Sequence, residues 1–340
     1  MPRSEVARVG ELVLEHGSRV LVVIVNFNSG ALLCDAIIGV HKQTYRSWKL
    51  VVVDNASTDG SADRLEKIFP GIQVIRSQNN VGFAAANNLA VRTAQNADWI
   101  ALLNPDAVPH PRWLEELMTA ARSYAGFGSF ASRLLASGDR RILDGVGDVY
   151  HVSGRYWRRG YGSAAAGFLQ ASEAFSPCAA AALYRADLFR EIGGFDESFF
   201  CYAEDIDLGF RLRLAGYRCL YVPEAVAYHV GSATTGGQHS DFSVYHGHRN
   251  LVWTYVKNMP WPLFCLYLPQ HILLNLISLV WFSLRGQTRV IFKAKWDAVK
   301  ELPRILRERK KIQSKRYVSA WELRRAMAKG LFRPYIRHRM

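Results

Sequence analysis

The sequence predicts an α/β fold with a mainly parallel sheet flanked by helices, followed by C-terminal amphipathic and basic helices. Short apolar, β-branched runs alternate with helix-like stretches over the first 103 residues. Polar clusters stand directly after these runs, and an uncharged apolar stretch near the C-terminus passes into a strongly basic one. Nearly continuous apolar strands separated by helices are typical of a parallel sheet that is covered on both faces.

Four runs form the predicted strands, at residues 19–26, 49–54, 72–76 and 99–103. Helices are predicted after the first three runs, at residues 31–42, 62–69 and 83–94. In such sheets the ligand site lies at the carboxyl ends of the strands. Polar clusters occupy these ends, at residues 26–28, 54–59, 79–82 and 104–106. The sequence therefore predicts a ligand site at this edge of the sheet.

Two common nucleotide-binding motifs are absent from this edge. No G-x-G-x-x-G follows the first strand, and the chain has no G-x-x-x-x-G-K-[ST]. The first motif marks dinucleotide-binding folds and the second marks P-loops. Both of these protein classes are therefore excluded.

The second half of the chain supports fewer assignments. Residues 126–161 are mixed and glycine-rich and receive none. Residues 177–184 read as a strand or a close-packed segment of small residues, and residues 225–229 as a strand that ends at His229. Apolar residues at 206, 210, 212 and 214 predict a helix that begins near Glu204.

The charge of the chain is confined to its C-terminal end. The net charge is +14, and residues 285–340 hold 18 Lys+Arg against 4 Asp+Glu, so the remainder is neutral. A basic tail binds anions, which are nucleic acid, anionic lipid or an acidic protein. The chain has no recognisable nucleic-acid module, which argues against nucleic acid. Five scattered cysteines without a Cys-x-x-Cys pair argue against a disulfide framework or zinc site and favour a reducing cytosol.

The segment before the basic tail resembles a membrane-interface helix. Residues 259–284 carry no charge, and three prolines are expected to break them, which leaves an apolar run at residues 272–284. A membrane-spanning helix needs about 20 residues, so this run is too short to span. His271, Asn275 and Ser278 form a polar stripe on it. We expect the segment to lie in the interface and the basic residues to bind anionic head groups. The alternative is a buried core helix followed by a solvated basic one.

Asp106 is a candidate ligand for a divalent cation. It follows a buried strand and Pro105, and it faces the predicted strand-end crevice with Asn104. Carboxylate oxygen suits a hard divalent cation at such a turn. The alternative is that residues 104–107 form only a turn that caps the helix near Pro111.

Glu204, Asp205 and Asp207 form a second acidic cluster, at the start of a predicted helix. If they are partly buried, their mutual repulsion raises at least one pKa, which suits a general base. The alternative is that the helix dipole simply favours acidic residues there. Asp205 and Asp207 lie two positions apart, so they face different directions on a helix. His229 could supply a nitrogen to a metal near Asp106, or it could be a structural histidine.

Five ordered motifs carry a resemblance to a known family. They are VVIVNFNSG at 22–30, VVVDNASTDGS at 51–61, NNVGFAAANN at 79–88, LLNPDA at 102–107 and GGFDESFFCYAEDIDLGFRLRLAGY at 193–217. Over residues 19–235 the chain resembles family 2 glycosyltransferases of the GT-A fold, a Rossmann-like nucleotide-binding fold. It is most similar to bacterial rhamnosyltransferases of lipopolysaccharide and cell-wall polysaccharide assembly.

The resemblance implies inverting transfer of a sugar from a nucleotide-activated donor to an acceptor hydroxyl. It implies nucleotide-sugar-binding roles for eight residues: Val25, Asn26, Asp54, Asn80, Gly82, Asn87, Asn104 and Glu204. Asp54 would accept a hydrogen bond from uracil or thymine N3–H, and the backbone of Val25 and Asn26 would flank that base. Asn104 replaces the first aspartate of the family's Asp-x-Asp motif.

The resemblance also implies a metal and a base. Asp106 and His229 would hold Mg²⁺ or Mn²⁺, and Asp205 would be the catalytic base. A metal can neutralise the charge of a nucleoside diphosphate leaving group. One base then takes the proton from the acceptor.

The expected donor is dTDP-rhamnose, and the expected acceptor is a polyprenyl-diphosphate-linked saccharide. The alternatives are a UDP-sugar donor (galactosyl, galactofuranosyl or N-acetylglucosaminyl) and a non-catalytic membrane-bound scaffold. A nucleotidyltransferase would carry a basic glycine-rich loop after its first strand, where this chain has FNSGALL. The chain lacks a Gln-x-x-Arg-Trp motif, so we expect one or a few sugars to be added rather than a polymer.

We expect three parts in the chain. They are an N-terminal extension of residues 1–18, a GT-A catalytic domain of residues 19–240 and a helical, membrane-associating region of residues 241–340. The N-terminal residues have no apolar stretch typical of a secretory signal. The expected location is therefore the cytoplasmic face of the bacterial inner membrane, as a peripheral or monotopic protein.

Overall fold

A computed structural model describes residues 18–231, 236–237 and 239–331 of the chain. The predicted N-terminal extension lies outside the described residues except for Ser18. The strands are β1 Val20–Asn26, β2 Trp48–Asp54, β3 Gln73–Arg76, β4 Trp99–Leu103, β5 Ala107–Pro109, β6 Phe127–Ala136, β7 Leu143–Gly145, β8 Asp148–Tyr150, β9 Tyr156–Arg158, β10 Ser172–Ala174, β11 Ala181–Arg185 and β12 Arg218–His229. The helices are α1 Leu32–His41, α2 Ser61–Ile68, α3 Gly82–Thr93, α4 Trp113–Ser123, α5 Ala186–Glu191, α6 Glu204–Leu214, α7 Asp241–Asn258, α8 Trp261–Leu284, α9 Thr288–Lys300, α10 Leu302–Ser314 and α11 Ala320–Ala326.

The first four strands form the parallel centre that the sequence predicts. Their order is β3-β2-β1-β4, and Asn26 at the end of β1 lies beside Asp54 at the end of β2. Successive residues of β1 point to opposite faces, because side chains alternate along a strand. Val22 and Ile24 pack with α1 and α4, whereas Leu21 and Val23 pack with α3 and α5. The predicted α/β fold is confirmed.

The other half of the sheet comes from segments that the sequence left largely unassigned. Beyond β4 the order continues through β11, β6, β12 and β10, with β11 antiparallel to β4 and β12 parallel to β6. Strands β8 and β9 pair as a separate hairpin. Within residues 126–161, β7, β8 and β9 have three residues each and glycines around them, so they are too short to show a period of two.

The C-terminal helices share a core with the sheet domain. One buried cluster joins Tyr150 of β8 and Phe210 of α6 to Trp253 of α7, Ile305 of α10 and Leu323 of α11. Each of these side chains is at most 3% exposed. The helical region is therefore packed onto the sheet domain.

The predicted break in the apolar stretch is wrong. Helix α8 runs without interruption over 24 residues, from Trp261 to Leu284. Pro262 lies in its first turn, where a missing N–H costs nothing. Pro269 lies inside and removes one hydrogen bond to the carbonyl of Cys265. Pro269 and Cys265 are on the exposed side of the helix, where solvent can form a hydrogen bond with that carbonyl.

The polar stripe of α8 faces the protein. His271 is 5% exposed, its Nδ1 lies 2.8 Å from the carbonyl oxygen of Ser153, and its ring stacks on Tyr255. Asn275 accepts a hydrogen bond from Lys295 Nζ at 2.6 Å. The opposite face is apolar and 38–82% exposed, and it consists of Leu266, Ile272, Leu273, Leu276, Ile277, Val280, Trp281 and Leu284. Among the described residues, α8 alone is long and apolar enough to cross a membrane.

Candidate active site

The ends of β1 and β2 position Asp54. The Asn26 amide donates to Asp54 Oδ1 at 3.0 Å and to the hydroxyls of Ser57 and Ser61 at 3.0 and 2.8 Å. Asn26 is fully buried, so its side chain orients the carboxylate and does not itself face the crevice. Val25 is also buried, within the sheet core. The backbone contact of Val25 and Asn26 with a base stays a prediction.

The loop before α3 brings Asn80 and Gly82 to the same edge. Asn80 is exposed, and its Oδ1 accepts hydrogen bonds from the Asn55 amide and the Gly82 N–H, both at 2.9 Å. Gly82 has φ +83°, and a Cβ there would lie 2.5 Å from the carbonyl oxygen of Phe200. Only glycine allows this approach, which joins the loop to the segment before α6. Asn87 is 1% exposed and donates to the Phe83 carbonyl, so its contact with a donor sugar stays a prediction.

Strand pairing brings Asp106 and His229 together. His229 lies opposite Ala107 in the antiparallel pair of β12 and β5, and the Val230 N–H donates to the Asp106 carbonyl. His229 Nε2 is 3.2 Å from Asp106 Oδ1 and 3.4 Å from the Asn104 amide nitrogen. Asp106 is 7% exposed and His229 is 2% exposed. The two predicted metal ligands thus meet, with Asn104 beside them.

Asp144 orients His229 from the other side of the ring. Its Oδ2 lies 2.7 Å from His229 Nδ1. Burial alone would lower the pKa of His229, but its hydrogen bonds to Asp106 and Asp144 raise it above the ordinary value. Burial likewise would raise the pKa of Asp144, but His229 and the Arg158 charge hold it below its usual range. A carboxylate on Nδ1 fixes the tautomer and leaves Nε2 free for a metal.

The donor set of Asp106 and His229 fits a divalent cation. Two neighbouring ligands of an octahedral ion at about 2.1 Å lie about 3 Å apart. The separation of 3.2 Å between Nε2 and Oδ1 matches this spacing. Oxygen ligands suit Mg²⁺ and Mn²⁺, and the imidazole favours Mn²⁺ of the two. Substrate oxygens would have to supply the remaining positions.

Asp205 lies in the first turn of α6. Its Oδ2 accepts a hydrogen bond from Ala179 N–H at 3.1 Å, and its Oδ1 accepts one from Ile206 N–H at 2.8 Å. Burial raises the pKa of Asp205, although the two N–H donors and the Arg158 charge oppose the shift. A raised pKa was predicted for this acidic cluster and is suited to a general base.

Burial disfavours the charged forms of the acidic groups around Asp205. Burial raises the pKa of Glu204 well above its ordinary value, and the Asp205 charge raises it further. Glu204 Oε2 is buried without a hydrogen-bond partner among the described residues. Asp148 and Cys178 have ligand atoms within 4.8 Å of Asp205. Burial raises the pKa of Asp148 and Cys178, which opposes the anionic forms that a metal site would need from them.

A clamp from α7 holds the backbone that precedes Asp205. Phe200, Tyr202 and Ala203 have φ values of +66°, +68° and +67°, which is a strained run for residues with a side chain. The amide of Asn250 donates to the carbonyls of Phe199, Cys201 and Tyr202 at 3.0, 2.9 and 2.7 Å. Because these three bonds leave from one buried nitrogen, the side chain fixes the left-handed run.

Asp207 belongs to a separate, structural cluster. It is fully buried and lies 2.8 Å from both Arg211 Nε and Lys257 Nζ. Asn258 also donates to it at 2.7 Å, and Lys257 pairs with Asp196 at 2.6 Å. As the helical spacing predicts, Asp207 faces away from Asp205. This cluster ties α6 to α7.

Three site residues, Asp144, Asp148 and Arg158, have no role in the sequence-based prediction. All three lie on β7–β9, and Asp148 lies opposite Arg158 in the hairpin. The visible signal was two aspartates four positions apart in a glycine-rich run, a pattern that many turns share. Only the tertiary fold brings them against His229 and Asp205.

The comparisons with known proteins agree on one family. The glycosyl transferase family 2 pattern matches residues 21–193. The N-acetylglucosaminyl-diphospho-decaprenol L-rhamnosyltransferase of Mycobacterium tuberculosis is 27% identical over 237 residues, which cover 63% of this chain and 77% of the relative.

Two solved structures share the fold. A crystal structure of GalNAc-T7 with UDP, GalNAc and Mn²⁺ has a TM-score of 0.57 and 17% identity, covering 72% of this chain. The chain spans about half of that protein, 51%. The mannosyltransferase PcManGT from Pyrobaculum calidifontis, with GDP-Man and Mn²⁺, has a TM-score of 0.51 and 19% identity, covering 83% of this chain and 75% of the other.

Proposed function

Because the chain belongs to glycosyl transferase family 2, we propose that it transfers a sugar from a nucleotide-activated donor to a lipid-linked saccharide, with inversion and with Asp205 as the base. This proposal rests on one observation. The two predicted metal ligands, Asp106 and His229 (the metal pair), and the predicted base, Asp205, lie on either side of residues 179–180. The Ala180 carbonyl accepts a hydrogen bond from the backbone N–H of Asn104 at 2.9 Å. The N–H of the preceding residue, Ala179, donates to Asp205 at 3.1 Å. A donor bound at Asp106 would therefore lie close to Asp205.

The residues divide the work of the reaction. Asp54 and the loop of Asn80 and Gly82 bind the nucleotide, and Asp106 and His229 hold the metal near the diphosphate. A bound Mg²⁺ or Mn²⁺ supplies positive charge that offsets the charge of the leaving nucleoside diphosphate. Asp205 takes the acceptor hydroxyl proton as that oxygen bonds the anomeric carbon from the opposite face. The bond from that carbon to the diphosphate oxygen breaks, and no covalent sugar–enzyme intermediate is needed.

The proposed donor is dTDP-rhamnose, and the proposed acceptor carries a polyprenyl diphosphate. The similarity to a mycobacterial rhamnosyltransferase named for a decaprenol-linked acceptor supports this choice. A UDP-sugar donor is the alternative, since both the thymine and the uracil ring present an N3–H to Asp54.

The test is transfer from dTDP-, UDP- and GDP-sugars to a polyprenyl-diphosphate-sugar, with Mn²⁺, Mg²⁺ or EDTA. We expect metal-dependent turnover of dTDP-rhamnose, which EDTA abolishes. Asp106→Ala should remove the metal dependence of donor binding, because it removes the carboxylate ligand. Turnover of a UDP-sugar instead would discard rhamnose and keep the mechanism. If no donor is turned over and calorimetry detects no nucleotide binding, the proposed enzyme activity is refuted and the non-catalytic scaffold is favoured.

We further propose that the region of residues 241–340 associates with the cytoplasmic face of a bacterial inner membrane. The outer face of α8 continues into Phe292 and Trp296 of α9, which are 55% and 71% exposed. The basic residues of the tail follow directly. Because the polar stripe of α8 is engaged with the protein, the helix suits a position within the interface plane. The catalytic domain of residues 19–240 would then reach its lipid-linked acceptor without leaving the surface.

Charging the outer face of α8 should release the protein from membranes. Leu276 and Val280 are 54% and 61% exposed, so a double change to glutamate disturbs little packing. We expect affinity for vesicles with anionic lipid to fall at least about tenfold in flotation assays, because two apolar side chains lose their burial in lipid. The matched control is Leu169→Glu, at a residue that is 60% exposed on the sheet domain. Equal vesicle binding by both variants would refute this docking face.

A further inference from the structure

Arg158 is a partly exposed arginine between the predicted metal ligands, Asp106 and His229, and the predicted base. It ends β9, and its guanidinium donates to Asp144 Oδ2. Its side chain is 29% exposed, and Asp144 is its hydrogen-bond acceptor among the described residues. A guanidinium has five N–H donors in a planar fork. Most of this fork is therefore available to a ligand.

The position of Arg158 is fixed by packing. A Cβ at Gly145 would lie 3.3 Å from both Cβ and Cδ of Arg158, so the arginine stem rests on the glycine backbone. From there the guanidinium charge acts on His229 and Asp144 beside Asp106. It also acts on Asp148 and Asp205 beside the base. Arg158 lies between the metal pair and the base, because it contacts Asp144, which contacts His229, and it pairs across the hairpin with Asp148, whose carboxylate lies within 4.8 Å of that of Asp205.

Among the described residues, the acidic groups near Arg158 engage only part of its guanidinium. Asp144 is already hydrogen-bonded to His229, and burial raises the pKa values of Asp148 and Cys178, which disfavours their anionic forms. An arginine fork matches a phosphate in geometry and charge. The substrates of the proposed reaction carry two diphosphates, one in the nucleotide donor and one in the lipid acceptor.

We propose that Arg158 binds a diphosphate oxygen of a substrate during transfer. This inference rests on the proposed function, and the diphosphate could belong to either substrate. A donor contact would add positive charge to the leaving group, opposite the metal pair. An acceptor contact would instead hold the lipid-linked saccharide with its hydroxyl near Asp205.

The test compares Arg158→Gln with Arg159→Gln. Arg159 is the adjacent residue, and it is turned away from the site toward Ser172 and the Glu173 carbonyl. Thermal unfolding checks that both variants are folded. The probes are dTDP, UDP and thymidine by calorimetry in Mn²⁺. The KM is then measured for a polyprenyl-diphosphate-sugar and for an alkyl glycoside of the same sugar.

A donor contact predicts that Arg158→Gln weakens dTDP or UDP binding about tenfold to a hundredfold and leaves thymidine binding unchanged. An acceptor contact predicts unchanged nucleotide binding and a similar rise in KM for the diphosphate acceptor alone. Arg158→Lys should recover part of either loss. Equal behaviour of Arg158→Gln and Arg159→Gln with every probe would overturn the inference. Failure of the wild-type protein to bind any nucleotide would refute the proposed function instead.

Discussion

Asp205→Asn is expected to lower the rate of transfer about 10²–10⁴-fold, the usual contribution of a positioned general base. An asparagine fills the same space but cannot take the acceptor proton. It also keeps an oxygen that can accept from one of the two N–H donors, Ala179 and Ile206. Donor binding should therefore survive. Single-turnover kinetics with calorimetric titration of the nucleotide separates the two effects.

The pH dependence gives this prediction a second readout. The base must be ionised, and burial raises the pKa of Asp205. The kcat/KM of the wild type should thus fall on acidification at a pH above that expected for an ordinary aspartate, and the variant should lack this limb. Asp187→Asn is the matched control, since Asp187 also lies in the first turn of a helix. Simultaneous loss of nucleotide binding in Asp205→Asn would mark Asp205 as structural.

Lys257→Met should destabilise the protein by about 3–5 kcal/mol, the cost of leaving buried charge unpaired. Lys257 is 1% exposed, and it pairs with Asp196 and Asp207 at 2.6 and 2.8 Å. Methionine has a similar volume, so little of the loss would come from packing. Chemical denaturation measures the free energy of unfolding. The control is Lys293→Met, since the Lys293 side chain is 66% exposed in its pair with Asp297, with an expected cost of about 0–1 kcal/mol.

Acid should reduce the difference between wild type and Lys257→Met. Burial alone would raise the pKa of Asp196, but the Lys257 charge holds it well below the ordinary value. A lowered pKa stabilises the folded state above the unfolded pKa of about 4, and that stabilisation is lost as the pH falls. The difference should therefore be largest near pH 7 and shrink below about pH 4. A constant difference would show that Asp196 is not the partner that matters.

The sequence was most informative where secondary structure is set locally. Strands β1–β4 are continuous runs of Val, Ile and Leu, and the observed bounds differ from the predicted ones by at most one residue. Helix α6 begins at Glu204, as its pattern predicted. Parallel pairing then carried Asn26 and Asp54 to the same edge without further information.

The sequence was least informative where contacts come from distant parts of the chain. Asp144 reaches His229 across 85 positions, and nothing near either residue signals the contact. The sequence predicts breaks at the prolines of α8 because helix propensity does not include the position of the freed carbonyl. In α8 that carbonyl lies on the exposed side. The stripe of His271, Asn275 and Ser278 was expected to mark a membrane-interface helix, yet it faces inward because Ser153 and Lys295 offer partners there. A polar stripe shows that one face of a helix differs in polarity from the others. Only the tertiary structure shows whether that face is exposed to solvent or packed against the protein.

Asn250 limits how the chain can be recombined with its relatives. Its three hydrogen bonds set the backbone path that leads into Asp205, although it lies 45 positions further along the chain. Replacing the region after residue 240 with that of a relative would thus change the backbone path that leads into α6. A chimera should work only when the donor of the graft supplies an amide at the equivalent place. The C-terminal region and the segment that leads into α6 are therefore expected to be exchangeable only together.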